Sequence, residues 1–555
     1  MAYDQTRLSE TASSVRSLAM KEEDDAVDQM RANYADYAKL RDLAERHLNS
    51  GEFNTAAVYV EAAARIASSR HCGMFSSRRL ERVLLEIARR TQDLSGEPSR
   101  EPRTSVVRVL HVCTTTHAVG GMTRMLCRWI SRDAGRQHSI ALIKNAQPAH
   151  TLNQVLRDRG GTLHCVGTSP GGPVEWARRL RRISLDYDVV ILHVSSEESV
   201  PTIAFAEPRN RPPTLLVNHG DHLFWLGVET SDLVVSSRRS ADRIVCDRRG
   251  VDPERSAILP ILIDAPVRKN SREEAKNLLG IDPETVLICS VARAVKYTNV
   301  GGVTFADAHV SVLKSHPNAT LLVAGAGERA DWQPAVEQTN GRILTLPEMD
   351  DPSVVFEAAD IYTDSYPFVS ITSALEGGSY GVPVVSRFPH SKDADIMSVD
   401  MPGLTGCMVT VASDDEYTST LSTLIANRER RVKLGEQTRF EVVRHHVEPS
   451  WREALETIYN KALAVEKLNP SLPTNAHTDE RISHNEGDIM LTQIFNRPLS
   501  ISEAVKSYMR MMPARKRLET WLLVLKTGGF SSRKEAAMRL LPEWTVNFAK
   551  IVFRR

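Results

Sequence analysis

The chain has 555 residues, 42% hydrophobic and 25% charged, the balance of an ordinary globular protein of three or four domains. A formal net charge of +1 gives no overall reason to expect nucleic acid as a partner. The seven cysteines are scattered without a CxxC pair and favour a reducing compartment. The opening residues lack an apolar signal core, and no run of about 18 apolar residues exists, so a cytoplasmic chain that spans no bilayer is expected.

Residues 1–30 read as a polar lead, irregular or loosely helical. From Tyr37 the pattern turns helical (Tyr37, Leu40, Leu43, Ala44, Leu48), breaks at Gly51, and resumes with the Ala-rich face of Ala56, Val60, Ala63 and Ala67. This resembles one helix-turn-helix unit of the tetratricopeptide type, joined by a third helix near 78–90. One unit is not an array, so 1–102 is expected to be a helical domain that caps the remainder of the chain, with a docking module as the alternative, ended by the polar linker 96–102.

Short apolar runs then alternate with helix-length segments. Strands are expected at 106–112, 139–143, 162–166, 188–193, 214–218 and 232–236, and a second series at 285–291, 319–324, 342–346, 360–363, 383–386 and 407–410. Two such series predict an α/β fold, with two Rossmann-like doubly wound domains at 103–266 and 267–450 facing a cleft. An amphipathic helix at 451–466 (Trp451, Leu455, Ile458, Tyr459, Ala462) is expected to cross back over the first domain. Residues 467–495 read as a linker. The tail 496–555 reads as basic helices, with 13 Lys/Arg against 4 Asp/Glu and interleaved Met, Trp and Phe. That composition suits either a small helical core or an anionic membrane surface, at which the chain would sit peripherally on the inner face.

The stretch 364–386 carries the densest chemistry. Asp364 closes a strand, Pro367 turns the chain, and Thr372 and Ser373 stand where a helix begins and its free N–H groups attract phosphate. Gly377, Gly378 and Gly381 are expected to let backbone approach a ligand. Arg293 and Lys296 come after the strand 285–291 and suit phosphate oxygens. Gly120 and Gly121 occupy a βα turn that would admit a phosphate or sugar, and this GG is neither GxGxxG nor a Walker loop. After the strand 214–218, His219, Asp221 and His222 are candidates for a general base or for positioning an acceptor. The rival reading of these three as metal ligands lacks a further ligand cluster, and no metal or cofactor is expected.

Taken in order, the glycine pair, the 364–386 stretch and the two-domain plan resemble GT-B glycosyltransferases over roughly 104–463. The second half is most similar to the group 1 and O-GlcNAc-transferase-like families. The resemblance implies that Asp364, Thr372 and Ser373 hold a donor diphosphate, that Glu376 accepts from the ribose hydroxyls, and that a nucleotide sugar, UDP-linked, serves as co-substrate. It further implies hexosyl or N-acetylhexosaminyl transfer to a glycan, lipid-linked or protein acceptor. Retaining group 1 members carry Glu-x7-Glu, and the first acid position here is Phe368, which leaves the stereochemistry open. The alternatives are a sugar-nucleotide epimerase of the same fold and a non-catalytic binding or scaffolding protein.

Overall fold

The computed structural model describes residues 2–98, 104–117, 121–144, 148–299, 302–470, 480 and 482–552, and of 2–20, 22 and 551 only the backbone. Three helices open it: α1 (Ala2–Asn49), α2 (Phe53–Ser69) and α3 (Arg78–Thr91). The lead, read as irregular or loosely helical, is helical and part of α1. It contains no Pro or Gly, so a helix nucleated by the packed residues from Ala26 and Met30 onward propagates through it. Gly51, at φ +72°, reverses the chain between α1 and α2, and the amide of Glu52 donates to the His47 carbonyl. The small residues of α2 let it pack on both sides. Ala56, Ala63 and Ala67 share one apolar cluster with Leu110, Val112, Val190 and Leu192 of the first sheet.

That sheet has seven parallel strands: β1 (Arg108–Cys113), β2 (Gln137–Leu142), β3 (Leu163–Cys165), β4 (Val189–His193), β5 (Thr214–Val217), β6 (Leu233–Ser236) and β7 (Ser256–Ile258), in the order β3-β2-β1-β4-β5-β6-β7. The second sheet has six: β8 (Val286–Val291), β9 (Ala319–Ala324), β10 (Ile343–Leu346), β11 (Ile361–Thr363), β12 (Val384–Arg387) and β13 (Val409–Val411), in the order β10-β9-β8-β11-β12-β13. Both orders reverse direction once, beside β1 and beside β8, and such switch points open crevices at the carboxyl ends of the strands.

The opposite, amino-terminal ends are closed by acids standing one residue before a strand. Asp188 accepts from the amides of Val107 and Arg108, Asp232 from Thr214, and Asp360 from Leu287, at 2.8–3.0 Å. Each carboxylate satisfies strand-end amides that would otherwise be buried and unpaired. The helix Ser450–Ala464 returns to the first sheet, where Trp451, Leu455, Ile458 and Tyr459 pack on Val109, Val189, Ile191 and Leu215. Two Rossmann-like halves with a last helix returning to the first make the GT-B arrangement.

The stretch read as a linker, 467–495, is not one along its whole length. It contains the helix Glu486–Ile494, with Met490, Leu491 and Ile494 buried against Phe75, Ile244 and Ile396. Asn485 and Asp488 cap it reciprocally, and Asp488 also pairs with His71 and Arg248. Polar composition hid this because those polar residues are partners and caps, not solvated spacers. The tail also docks: Met509, Met511 and Met512 are buried in the cluster shared by α2 and the first sheet.

Candidate active site

The cleft between the halves contains two cavities, A of about 340 Å³ and B of about 310 Å³. Both are lined by Asn218, His219, His222, Lys296 and Phe368. Cavity A extends toward the end of α2 and Phe495–Arg497, while cavity B extends toward Gly121, Trp129 and Ser370–Thr372. The shared residues Asn218, His219, His222, Lys296 and Phe368 stand just after the carboxyl ends of β5, β8 and β11, where parallel sheets place ligands.

On the second half, β8 leads into Arg293 and Lys296. The ammonium of Lys296 donates to the Val369 carbonyl at 2.7 Å and lies 5.2 Å from the centre of the Phe368 ring. Burial, with Arg293 and Arg238 nearby, pulls its pKa down to about 8, and Asp364 and Asp221 oppose that shift. Asp364 is buried. One of its oxygens accepts from the Ser370 amide at 2.9 Å, and the other has no hydrogen-bond partner among the described residues. Its carboxyl is pushed up to about 6 by burial, against the Ser370 amide and Lys296. The helix Ile371–Ser379 begins without a side-chain cap, so its first amides are left open beside Thr372 on cavity B. Ser373 is engaged by the Ser370 hydroxyl at 3.2 Å and does not line either cavity.

Glu376 also stands apart from both cavities. It faces Arg128 and Arg124 of the first half at 3.6 and 4.0 Å, and burial raises its pKa while the two arginines oppose the shift. Gly121 opens the helix Gly121–Arg132 on the wall of cavity B, and Gly120 lies outside the described residues. Gly377 and Gly378 serve packing instead of ligand approach. A Cβ there would meet Tyr362 at 3.2 Å and Thr438 at 2.9 Å, because this helix lies tightly on β11 and on the helix Arg428–His446.

On the first half, His219, Asp221 and His222 converge but are not equivalent. Asp221 is tied to the buried Arg238 at 2.7 Å and to His222 at 3.2 Å. Burial opposes its ionisation, but Arg238 and His222 hold its carboxyl well below the usual carboxylate range. A carboxylate so engaged is a poor base and a good anchor for His222, whose ring sits against Phe368 and Phe495 at 4.8 and 4.7 Å. His219 is open to the cleft, with Nδ1 3.2 Å from the Val217 carbonyl. Because that carbonyl can only accept, Nδ1 carries the hydrogen and Nε2 is left as the free lone pair of the neutral ring. Desolvation within the cleft lowers its pKa, which keeps it neutral near pH 7.

Three features go beyond the sequence reading, two of them, Arg238 and a row of histidines, not anticipated there, and the third a set of contacts made by Phe368. Arg238 binds the carbonyls of Ile396 and Ser398 at 2.9 and 2.6 Å, so it joins the halves under the cleft. Phe368 fills the place of the missing acid with a ring shared by Lys296 and His222. Beneath the cleft floor, three buried imidazoles cross the sheet: His193 to His111 at 3.0 Å, His111 to His138 at 2.9 Å, and His138 to Asp133 at 3.3 Å. Asp133 accepts from His138 Nε2 through its carboxylate and through its main-chain carbonyl at 3.1 Å, and burial lowers the pKa of His111 and His193 so that both are neutral. His193 Nδ1 is left as a bare lone pair without a partner among the described residues. Alternation within strands hinted at none of this, since His in an apolar run reads as core. Among the described residues no group of three His, Cys, Asp or Glu side chains is placed to hold a metal ion.

No protein-family model and no curated protein sequence matches this chain significantly. Solved structures similar to it include the Anabaena protein HepE in complex with UDP and glucose, at 11% identity over 65% of this chain and 100% of that one, TM-score 0.46. A glycosyltransferase from Rickettsia africae is 13% identical over 65% and 99%, TM-score 0.49. An O-GlcNAc transferase variant from Thermobaculum terrenum is 15% identical over 77% and 84%, TM-score 0.47.

Proposed function

We propose that this chain is a glycosyltransferase that moves a sugar from a nucleotide sugar to an acceptor hydroxyl. The observation that carries the reading is the convergence of Lys296, the uncapped start of the helix Ile371–Ser379 and the open imidazole of His219 on connected cavities. In the transfer, the bond from the sugar's anomeric carbon to the diphosphate breaks and a bond to the acceptor oxygen forms. His219 Nε2 takes the hydroxyl proton, and Asp221 holds His222 and Arg238 in place beside it. The departing diphosphate gathers negative charge, which Lys296, Arg293 and the helix amides stabilise. Asp364 positions the Ser370 turn at that helix start. Glu376 meets the ribose once Arg124 and Arg128 release it, Thr372 flanks the phosphates, and Ser373 would reach them only on leaving the Ser370 hydroxyl. The resemblance of the 364–386 segment makes UDP the first nucleotide to test. In a thermal-shift panel of UDP-, GDP-, ADP- and TDP-sugars, a UDP-sugar raises Tm and Lys296→Ala abolishes that rise. The ligand-free Tm stays unlowered, because the lysine is a poorly solvated cation. A rise of equal size in Lys296→Ala would remove this residue from the donor site.

We assign to the tail an anionic membrane surface. Among the described residues, nine of the seventeen exposed large apolar side chains lie between Leu518 and Val552, on helices that also carry Arg515, Lys526, Arg533 and Lys534. No described helix is long and apolar enough to cross a membrane. Deleting 496–555 would strip Met509–Met512 from the core, so the test is Leu522→Glu with Leu523→Glu. Binding to phosphatidylglycerol vesicles falls about tenfold or more while Tm holds. Unchanged vesicle binding would dismiss the membrane assignment.

A further inference from the structure

Cavity A is built from parts that a nucleotide site does not need. One wall comes from Ser68 and Ser69 at the end of α2, and another from Phe495 and Arg497 after the helix Glu486–Ile494. The amide of Arg497 donates to the Ser69 carbonyl at 3.2 Å, and Arg70 pairs with Asn496 in an antiparallel bridge, so the two walls are tied together. The lining includes Arg293, Lys296 and Arg497, with His219 and His222, and not one Asp or Glu.

The positive charge there is under-compensated. Neither Arg293 nor Arg497 has a side-chain hydrogen bond or ion pair among the described residues. The depressed pKa of Lys296 registers burial first and then repulsion from Arg293 and Arg238. The nearest acids of the adjoining loop are already engaged, Glu197 by Arg65 and Tyr508 and Glu198 by Lys144. A donor diphosphate would draw on Lys296, Arg293 and the helix start beside cavity B. Arg497, on the far wall, would still lack an anion.

We propose that cavity A binds an acceptor sugar carrying an anionic group, phosphate or carboxylate, with Arg497 as its counter-charge. The inference rests on the glycosyltransferase reading and gives the N-terminal helices a role as a wall of the acceptor site. The exposed Arg497 guanidinium has no internal partner to give up and exchanges only water on binding an oxyanion, and such charge-assisted contacts are the stronger class of hydrogen bond.

The test uses the full chain with UDP at saturation. Binding of glucose 6-phosphate, glucuronate and glucose is measured by saturation-transfer NMR titration. The expected result is that one or both anionic sugars bind about tenfold or more tightly than glucose, and that Arg497→Glu erases the difference while UDP affinity is retained. Arg497→Gln gives an intermediate loss, and retained UDP binding reports an intact fold. Equal binding of the three sugars, binding of none, or a parallel loss of UDP in Arg497→Glu overturns the proposal. The two anionic arms tell phosphate from carboxylate. If wild type fails to bind UDP, the donor reading falls on its own, and the sugar comparison is read without nucleotide.

Discussion

The two halves of the cleft solve opposite problems with the same sheet architecture. In the first half the charged groups beside the cleft are paired with one another, Asp221 with Arg238 and His222 and Asp133 with His138, and the buried atoms unpartnered among the described residues include neutral ones such as Asn218 Oδ1 and His193 Nδ1. In the second half such charges are left wanting. Asp364 keeps one oxygen unpaired, Lys296 holds its charge against burial and neighbouring cations, and a helix starts without a side-chain cap. Unsatisfied buried polar groups cost stability, so a fold that retains several in one place is arranged for a partner that arrives later. The contrast sets a half whose charges are paired internally against one whose charges, in the function proposed above, await the donor diphosphate.

The largest effect expected from breaking this contrast is structural. Trp451 comes after the second half in the chain but lies in the first half's core, its indole donating to the Pro260 carbonyl at 2.9 Å. Trp451→Ala should destabilise the chain by about 3–5 kcal/mol. Hydrogen exchange should then quicken in β1, β4 and β5 before β8–β12, and uniform loss of protection would mean that the halves unfold as one. Next, Lys296→Ala should lower turnover of a bound UDP-sugar about 10²-fold or more, as removal of a group that stabilises developing charge does. Turnover assays with wild type and variant check this.

Titration sharpens the same contrast. Lys296, depressed to about 8, binds an anion only when protonated, so affinity for a UDP-sugar should fall as pH rises through about 8. Asp364, raised to about 6, favours the ligand-free fold in its protonated form. That contribution is full below the ordinary carboxylate value and is lost as pH rises through about 6. Isothermal titration from pH 5 to 9 reads the first, and Tm against pH for wild type and Asp364→Asn reads the second. The smallest effect is expected from Asp133→Asn. It removes the carboxylate 3.3 Å from His138 Nε2 but leaves the Asp133 main-chain carbonyl at 3.1 Å, so ¹⁵N NMR of His193 should still show its bare Nδ1, with turnover changed less than about tenfold.

Much of the architecture was legible because it rests on local patterns. Apolar runs such as Val286–Val291 and Ala319–Ala324 read as buried parallel strands, and the helical spacing of Trp451, Leu455, Ile458 and Tyr459 marked one apolar face. The short β7 (Ser256–Ile258) escaped notice because three residues carry no periodicity. Of the candidate site, Lys296, Thr372, His219 and His222 were visible from their positions after strands or at a helix start, and they come together on the cavities. Glu376 and Ser373 were named from the same motif, yet side-chain direction turns them from the cavity walls.

By itself the sequence determined where strands and helices form and which of them end in chemistry, because period, caps and breakers act over a few residues. Only the tertiary structure decided the charge state of that chemistry. Whether a carboxylate is an anchor, as Asp221 is beside Arg238, or an acid with one oxygen unpartnered, as Asp364 is, depends on groups distant in sequence, Arg238 lying 17 residues from Asp221 and Lys296 lying 68 (364 − 296) from Asp364. The same holds for Arg497, whose place on a cavity wall comes from a helix that polar composition disguised as a linker. Electrostatic interactions and desolvation are set by distances in space, and no run of neighbouring residues encodes them.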